Sequence, residues 1–224
     1  MSAGQIPPYV EQVIANVAEI GANALAQIRT VDELAQLTEG VYGFCEVFTD
    51  DLSAQEPPPQ PIACEQGCWY CCVSPRVEAL PIEVLVAAHW ITANQTPAPL
   101  AQLIDAHTNE DAPDFTAPGR TCPLLVDRGC AIYAVRPFVC RSFNAYNRDD
   151  CKAKKVDGKE AKILGYAHQG LSYQAALSGL AQACQTKGLA AQLVDLPSAL
   201  AVALKDVEVC TQKWLAGEDV FPVT

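Results

Sequence analysis

Eight of the eleven cysteines fall between residues 64 and 151, in two groups: Cys64, Cys68, Cys71 and Cys72, then Cys122, Cys130, Cys140 and Cys151. Nothing else in the 224 residues restricts the fold as strongly. Thiols at that density are bridged, bound to metal or packed as small hydrophobes. An odd number cannot be fully paired within one chain. The N-terminus MSAGQIPPYVEQ has neither a positive n-region nor a continuous apolar h-region, and no stretch approaches the roughly 18 apolar residues of a membrane span. The reading is an unexported, cytoplasmic chain that stays off the membrane. Its thiols are then reduced, and their spacing points to metal binding or catalysis rather than crosslinking. Half of the residues are hydrophobic, enough to bury a core without disulfides.

The run Cys64-Glu-Gln-Gly-Cys68-Trp-Tyr-Cys71-Cys72 steps by four, three and one. On a helix those steps place all four sulfurs within one arc of about 100°, so a thiol stripe on a helix is expected there. Ordinary core is the competing explanation of such a stripe. Gly67, Trp69 and Tyr70 are poor filler for one, however, and the second group recurs without helical periodicity as Cys122-Pro-Leu-Leu, Gly129-Cys130-Ala-Ile-Tyr and Arg136-Pro-Phe-Val-Cys140-Arg141. Packing does not explain those intervals; ligation does.

Thiolates are soft donors. They select zinc, iron–sulfur clusters or Cu(I), and they exclude calcium and magnesium, which take oxygen. One zinc ion or one cubane cluster takes four thiolates, so the site holds one or two centres, and seven or eight thiolates favour two. Cys71 and Cys72 diverge as neighbours, so either each binds one of two metals, or one bridges them, or one stays free as a reactive thiol. A four-thiolate zinc site is formally −2, which gives Arg120, Arg136 and Arg141 a task in offsetting charge and holding thiol pKa values down. Arg136 and Arg141 are accordingly taken as cofactor-binding candidates. The alternative for them is recognition of an anion, which guanidinium groups read bidentately.

The net charge of −11 argues against nucleic acid as a partner. It is unevenly spread: residues 120–162 hold ten basic side chains against five acidic ones, a surplus of five, which leaves −16 for the rest. Helical spacing of Val10, Val13, Ile14, Val17, Leu25 and Ile28, and of Leu34, Val41, Cys45 and Phe48, predicts two helices. Thr30 and Glu33 form a capping box that starts the second near Val31, and Pro57-Pro58-Pro59 stops it. Further helices are predicted from Pro81 through Trp90, over Leu100–His107, and as two C-terminal segments, Lys159–Thr186 and Pro197–Trp214. Leu124–Val126 and Ala131–Val135 are brief strands or turns. The expected fold is mainly α: a helical hairpin over 1–56, an irregular cysteine-cluster metal-binding domain over 57–155 with few or no short strands, and C-terminal helices over 156–224 packed on the same body.

Taken together, Cys64, Cys68, Cys71-Cys72, Cys122-Pro-Leu-Leu, Cys130-Ala-Ile-Tyr133 and Arg136-Pro137 through Cys140-Arg141 resemble the YkgJ-type cysteine-cluster family, a family of zinc- or iron-chelating domains. The likeness covers roughly residues 60–150. The family's usual eight cysteines make Cys151 the eighth. A related pattern in flagellin lysine methylases implies an iron–sulfur centre, for which a 4Fe-4S cluster is one candidate, and methyl transfer to protein lysines, though this chain leaves little room for a separate catalytic domain.

Cys45, Cys184 and Cys210 sit among apolar residues at helical spacing and read as core. His89, His107 and His168 share no ligand spacing, and neither a glycine-rich phosphate loop nor a Ser/His/Asp signature occurs. Metal ions are therefore the primary partners. The functional alternatives are a metal-binding module and an iron–sulfur enzyme that modifies a protein or small-molecule substrate.

Overall fold

Helix α1 (Pro8–Leu25) opens on a proline, whose missing N–H is no loss in a first turn, and buries Val13, Val17, Gly21 and Leu25 at four-residue steps. Helix α2 (Val31–Gln55) begins where the sequence places it. The Glu33 N–H donates to Thr30 Oγ1 at 3.3 Å, and the Thr30 N–H donates to Glu33 Oε2 at 3.1 Å. It ends immediately before the proline run, as expected. These features come from a computed structural model that describes residues 6–73, 76–94, 104 and 121–222. The helix predicted over Leu100–His107 lies outside the described residues, apart from Ile104, and so does Arg120.

Helix α3 (Pro81–Ala93) is apolar on nearly every side, and Pro81 through Ala88 are all buried, so it forms the centre of the fold. Then follow α4 (Phe138–Ser142), α5 (Arg148–Lys155), α6 (Ala167–Thr186), α7 (Leu196–Ala203) and α8 (Val207–Leu215). Two antiparallel ladders accompany them: β1 (Glu78–Ala79) with β4 (Val194–Asp195), and β2 (Leu125–Val126) with β3 (Gly129–Cys130). The architecture is mainly α, as the sequence indicates. Buried residues from all three stretches of the chain, Val17, Leu85 and Leu200 among them, join one hydrophobic core.

Helices α1 and α6 lie against each other along their lengths. Gly179 makes this approach feasible: a Cβ there would stand 2.6 Å from the Ile14 carbonyl oxygen and 2.8 Å from Val17 Cβ. The C-terminal region departs from the two helices predicted. Residues 159–166 are not helical, because Gly158, at φ 64°, turns the chain out of α5 and the segment's polar groups pair elsewhere. The Tyr166 N–H donates to Asn144 Oδ1 at 2.6 Å, and the Tyr146 N–H donates to the Leu164 carbonyl at 2.9 Å. The second predicted helix is divided by the cap at Asp206, whose Oδ1 accepts from the Val209 N–H at 3.0 Å and starts α8.

Candidate metal centre

The first cysteine group is not a helix. Gly67 takes φ 90°, a left-handed conformation that no α-helix contains, and only Tyr70–Cys72 form a single 3₁₀ turn. Steps of four, three and one are met equally by two successive tight turns, closed by Cys68 N–H to the Glu65 carbonyl at 3.0 Å and Cys72 N–H to the Trp69 carbonyl at 2.9 Å. The thiols are still brought to one region, by a folded loop instead of a stripe.

Backbone hydrogen bonds then gather the other group around that loop. The Cys122 N–H donates to the Cys72 carbonyl at 2.8 Å, joining the two groups directly. Cys130 is delivered by the β2–β3 hairpin, whose turn residues Asp127 and Arg128 both have positive φ, 49° and 65°, as a type I′ turn requires. Cys140 lies on α4, one short turn set by Pro137. Cys151 lies on α5, capped by Asn147 Oδ1 accepting from the Asp149 N–H at 2.9 Å, and is 3% exposed. On the far side the Ala63 N–H donates to the Ala145 carbonyl at 2.8 Å and holds Cys64 near α5.

Two adjoining hollows result. One, of about 290 Å³, is lined by Cys64, Cys68, Cys71, Cys140 and Cys151. The other, of about 140 Å³, is lined by Cys68, Cys71, Cys72, Cys122, Cys130 and Cys140. All eight predicted thiols thus face one or both. Cys151 is influenced by Cys64, Cys68 and Cys71, whereas Cys71 also acts on Cys72, Cys122, Cys130 and Cys140, so Cys71 is shared by both groups. The sulfurs line the hollows without closing into a cage; among the described residues no three His, Cys, Asp or Glu side chains already surround a point as ligands do.

Burial raises most of these thiols, Cys122 to about 12 and Cys151 to about 11, because a thiolate loses hydration there. Cys64, Cys130 and Cys140 move up for the same reason. Cys71 alone moves down: the Cys72 thiol donates to it, and Arg136 adds positive charge. That shared hydrogen bond keeps Cys72 protonated and its pKa raised.

Arg136 lines both hollows, with its guanidinium carbon 4.2 Å from the Tyr133 ring centre, and its buried Nε has no hydrogen-bond partner among the described residues. Arg141 has a different position. Its Nε donates to the Arg136 carbonyl at 2.9 Å, and its Nη atoms reach the Ala134 carbonyl and Glu46 Oε1. The guanidinium also stacks 4.0 Å from the Tyr42 ring centre, and Arg141 lines neither hollow. It supports the 134–141 turn that presents Cys140.

Arg76 lines a hollow without having been a sequence candidate, Tyr133 entered only through the family motif, and Lys155, counted within the basic 120–162 segment, lines the wall instead of a solvated face. Lys155 follows Cys151 by one helical turn, a signal that was available. Cys45, Cys184 and Cys210 are buried in the apolar core, away from both hollows. His89 pairs with Asp32 at 3.1 Å, and His168 lies between Tyr9 and Glu56; neither lines a hollow, and His107 is outside the described residues. No described helix is long and apolar enough to cross a membrane.

Residues 63–159 match a family model labelled CxxCxxCC, whose description is "Putative zinc- or iron-chelating domain". The first interval in this chain, three residues between Cys64 and Cys68, is one longer than in that label. No curated protein and no solved structure matches the chain.

Proposed function

Starting from the match of residues 63–159 to a model of zinc- or iron-chelating cysteine-cluster domains, we propose that the chain binds two metal centres side by side, each on four thiolates. Cys64, Cys68, Cys71 and Cys151 serve one, and Cys72, Cys122, Cys130 and Cys140 serve the other. The observation that carries this reading is the grouping of eight thiols around two adjoining hollows while the remaining three cysteines lie in the core. The donor set suits zinc or iron, since four thiolates complete a tetrahedral zinc or one 4Fe-4S cluster.

When bound, such a group supplies a thiolate-held Lewis acid or an electron-transfer centre. This chain's own residues prepare for it. Burial raises the pKa of most of these thiols, so binding of a metal by them would release protons. Two four-thiolate zinc sites carry a formal −4, and Arg136 stands between the hollows to offset it, with Lys155 at one wall. The vicinal pair is divided between centres, which removes the difficulty of two consecutive side chains reaching one ion.

Metal analysis of anaerobically purified protein, with its absorption spectrum, tests this. Two zinc ions per chain in colourless protein, or iron with a visible thiolate-to-iron band, is the expected result. Cys64→Ser should lose one centre and Cys130→Ser the other. Metal-free protein under both aerobic and anaerobic preparation overturns the proposal, and so does a single centre unaffected by Cys64→Ser.

A further inference from the structure

On the face opposite in character to the basic cysteine cluster, α1 and α2 enclose an apolar groove of about 380 Å³ that none of the described residues fills. Val17 and Ile20 form one wall, and Leu37, Val41 and Phe44 the other. Ile20 is 61% exposed, and Val47, one turn beyond Phe44, is 64% exposed.

Two glycines mark the same face. Gly40 and Gly43 sit in the interior of the 25-residue helix α2, where only proline is less favourable. A Cβ on either would meet nothing within 4 Å, so no packing in this fold requires them. Gln36, Gly40, Gly43 and Val47 succeed one another at steps of four, three and four, which lays bare backbone along one stripe beside the groove. Bare backbone of this kind suits the close approach of another chain.

The charge specifies that chain. Residues 8–55 contain eight carboxylates against Arg29 alone; Glu46 pairs with Arg141, Asp32 with His89 and Glu33 caps α2, which leaves Glu11, Glu19, Glu39, Asp50 and Asp51 to set the charge of these two helices. Glu33 and Asp51 continue the stripe at its two ends. A second copy is a poor occupant, because pairing α2 with itself in either direction sets carboxylates against carboxylates. We infer that the α1–α2 groove docks an amphipathic helix of a partner protein that carries an apolar stripe flanked by Lys or Arg, with its backbone against Gly40 and Gly43.

Fluorescence anisotropy on the full chain tests this with three labelled synthetic peptides: an amphipathic Leu/Lys helix, a scrambled peptide of the same composition, and a Leu/Glu helix. The Leu/Lys helix should bind at least ten-fold tighter than either control. Gly40→Leu should weaken that binding at least ten-fold while Tm holds or rises, since leucine is the better helix former and its Cβ has space. A merely structural glycine would show the reverse. Absence of binding, equal binding of the scrambled peptide, or unchanged affinity in Gly40→Leu overturns the inference. A wild-type dimer in sedimentation that Gly40→Leu dissociates also overturns it, in favour of a second copy.

Discussion

Glu83, 1% exposed at the centre of the fold, permits a sharp test of how the cluster is supported. Its Oε2 accepts from the Leu80 N–H at 2.9 Å; its Oε1 accepts from the Phe138 N–H at 2.7 Å and from the Tyr42 hydroxyl at 3.1 Å. One carboxyl therefore ties together α2, the start of α3 and the start of α4, two residues before Cys140. Three donors and nearby Arg141 favour the ionised form, but burial outweighs them and raises the pKa from 4.5 to about 7. Between those values the native chain holds a proton that the unfolded chain has released. Stability from this group is complete below about pH 4.5 and is lost as pH rises to about 7. At about 1.36 kcal/mol per pH unit, the loss is about 3 kcal/mol.

Glu83→Gln removes this titration and keeps the shape. An amide offers one acceptor in place of two, so one of the Leu80 or Phe138 N–H groups is left unpaired at a cost of about 1–3 kcal/mol. The variant should be less stable than the parent near pH 5 and should close the gap by about 2–3 kcal/mol by pH 8. Urea unfolding of both proteins at pH 5, 6, 7 and 8 measures this, and the shared cysteines cancel in the difference. A gap that stays constant or widens as pH rises would refute the reasoning, because it would mean that the donors hold the carboxylate ionised throughout.

Gly179→Ala should force α1 and α6 apart and lower stability by about 1–3 kcal/mol, read as a fall in Tm of about 2–4 °C per kcal/mol. Arg141→Ala should cost about 3 kcal/mol through the loss of its Glu46 and carbonyl partners, and Arg141→Lys should restore less than half, because an ammonium lacks the planar fork. Cys45→Ala and Cys184→Ala should each cost about 1 kcal/mol in thermal unfolding and leave the metal content unchanged, unlike Cys151→Ser.

Local signals were legible where one physical cause governs one element. The Thr30–Glu33 box, the proline stop after Gln55 and the proline start of α3 depend only on neighbours in sequence, and each element begins or ends where predicted. The error at Cys64–Cys72 has an equally physical origin. An interval of four residues brings side chains together on a helix and also across consecutive tight turns, so spacing alone does not distinguish them; Gly67 was the residue that did. The β1–β4 pairing joins Glu78 to Asp195, and two-residue strands that far apart leave no periodic trace.

Glu83 and Arg141 were harder to interpret because their partners come from other parts of the chain. A lone carboxylate in the apolar run Pro81-Ile-Glu83-Val-Leu-Val signals a buried polar contact without saying which one. Its partners, Tyr42 and the Phe138 N–H, lie 41 and 55 residues away. The same holds for the cysteines. Their identity as donors follows from density in sequence, whereas their division depends on where α5 and the β2–β3 hairpin carry Cys151 and Cys130. Cys68, Cys71 and Cys140 line both hollows and Cys72 only one, so the vicinal pair stands at the wall the hollows share, and among the described residues Arg136 is the one cation that lines both. Replacing Arg136 should therefore affect both centres together, where each cysteine replacement outside the shared wall affects one.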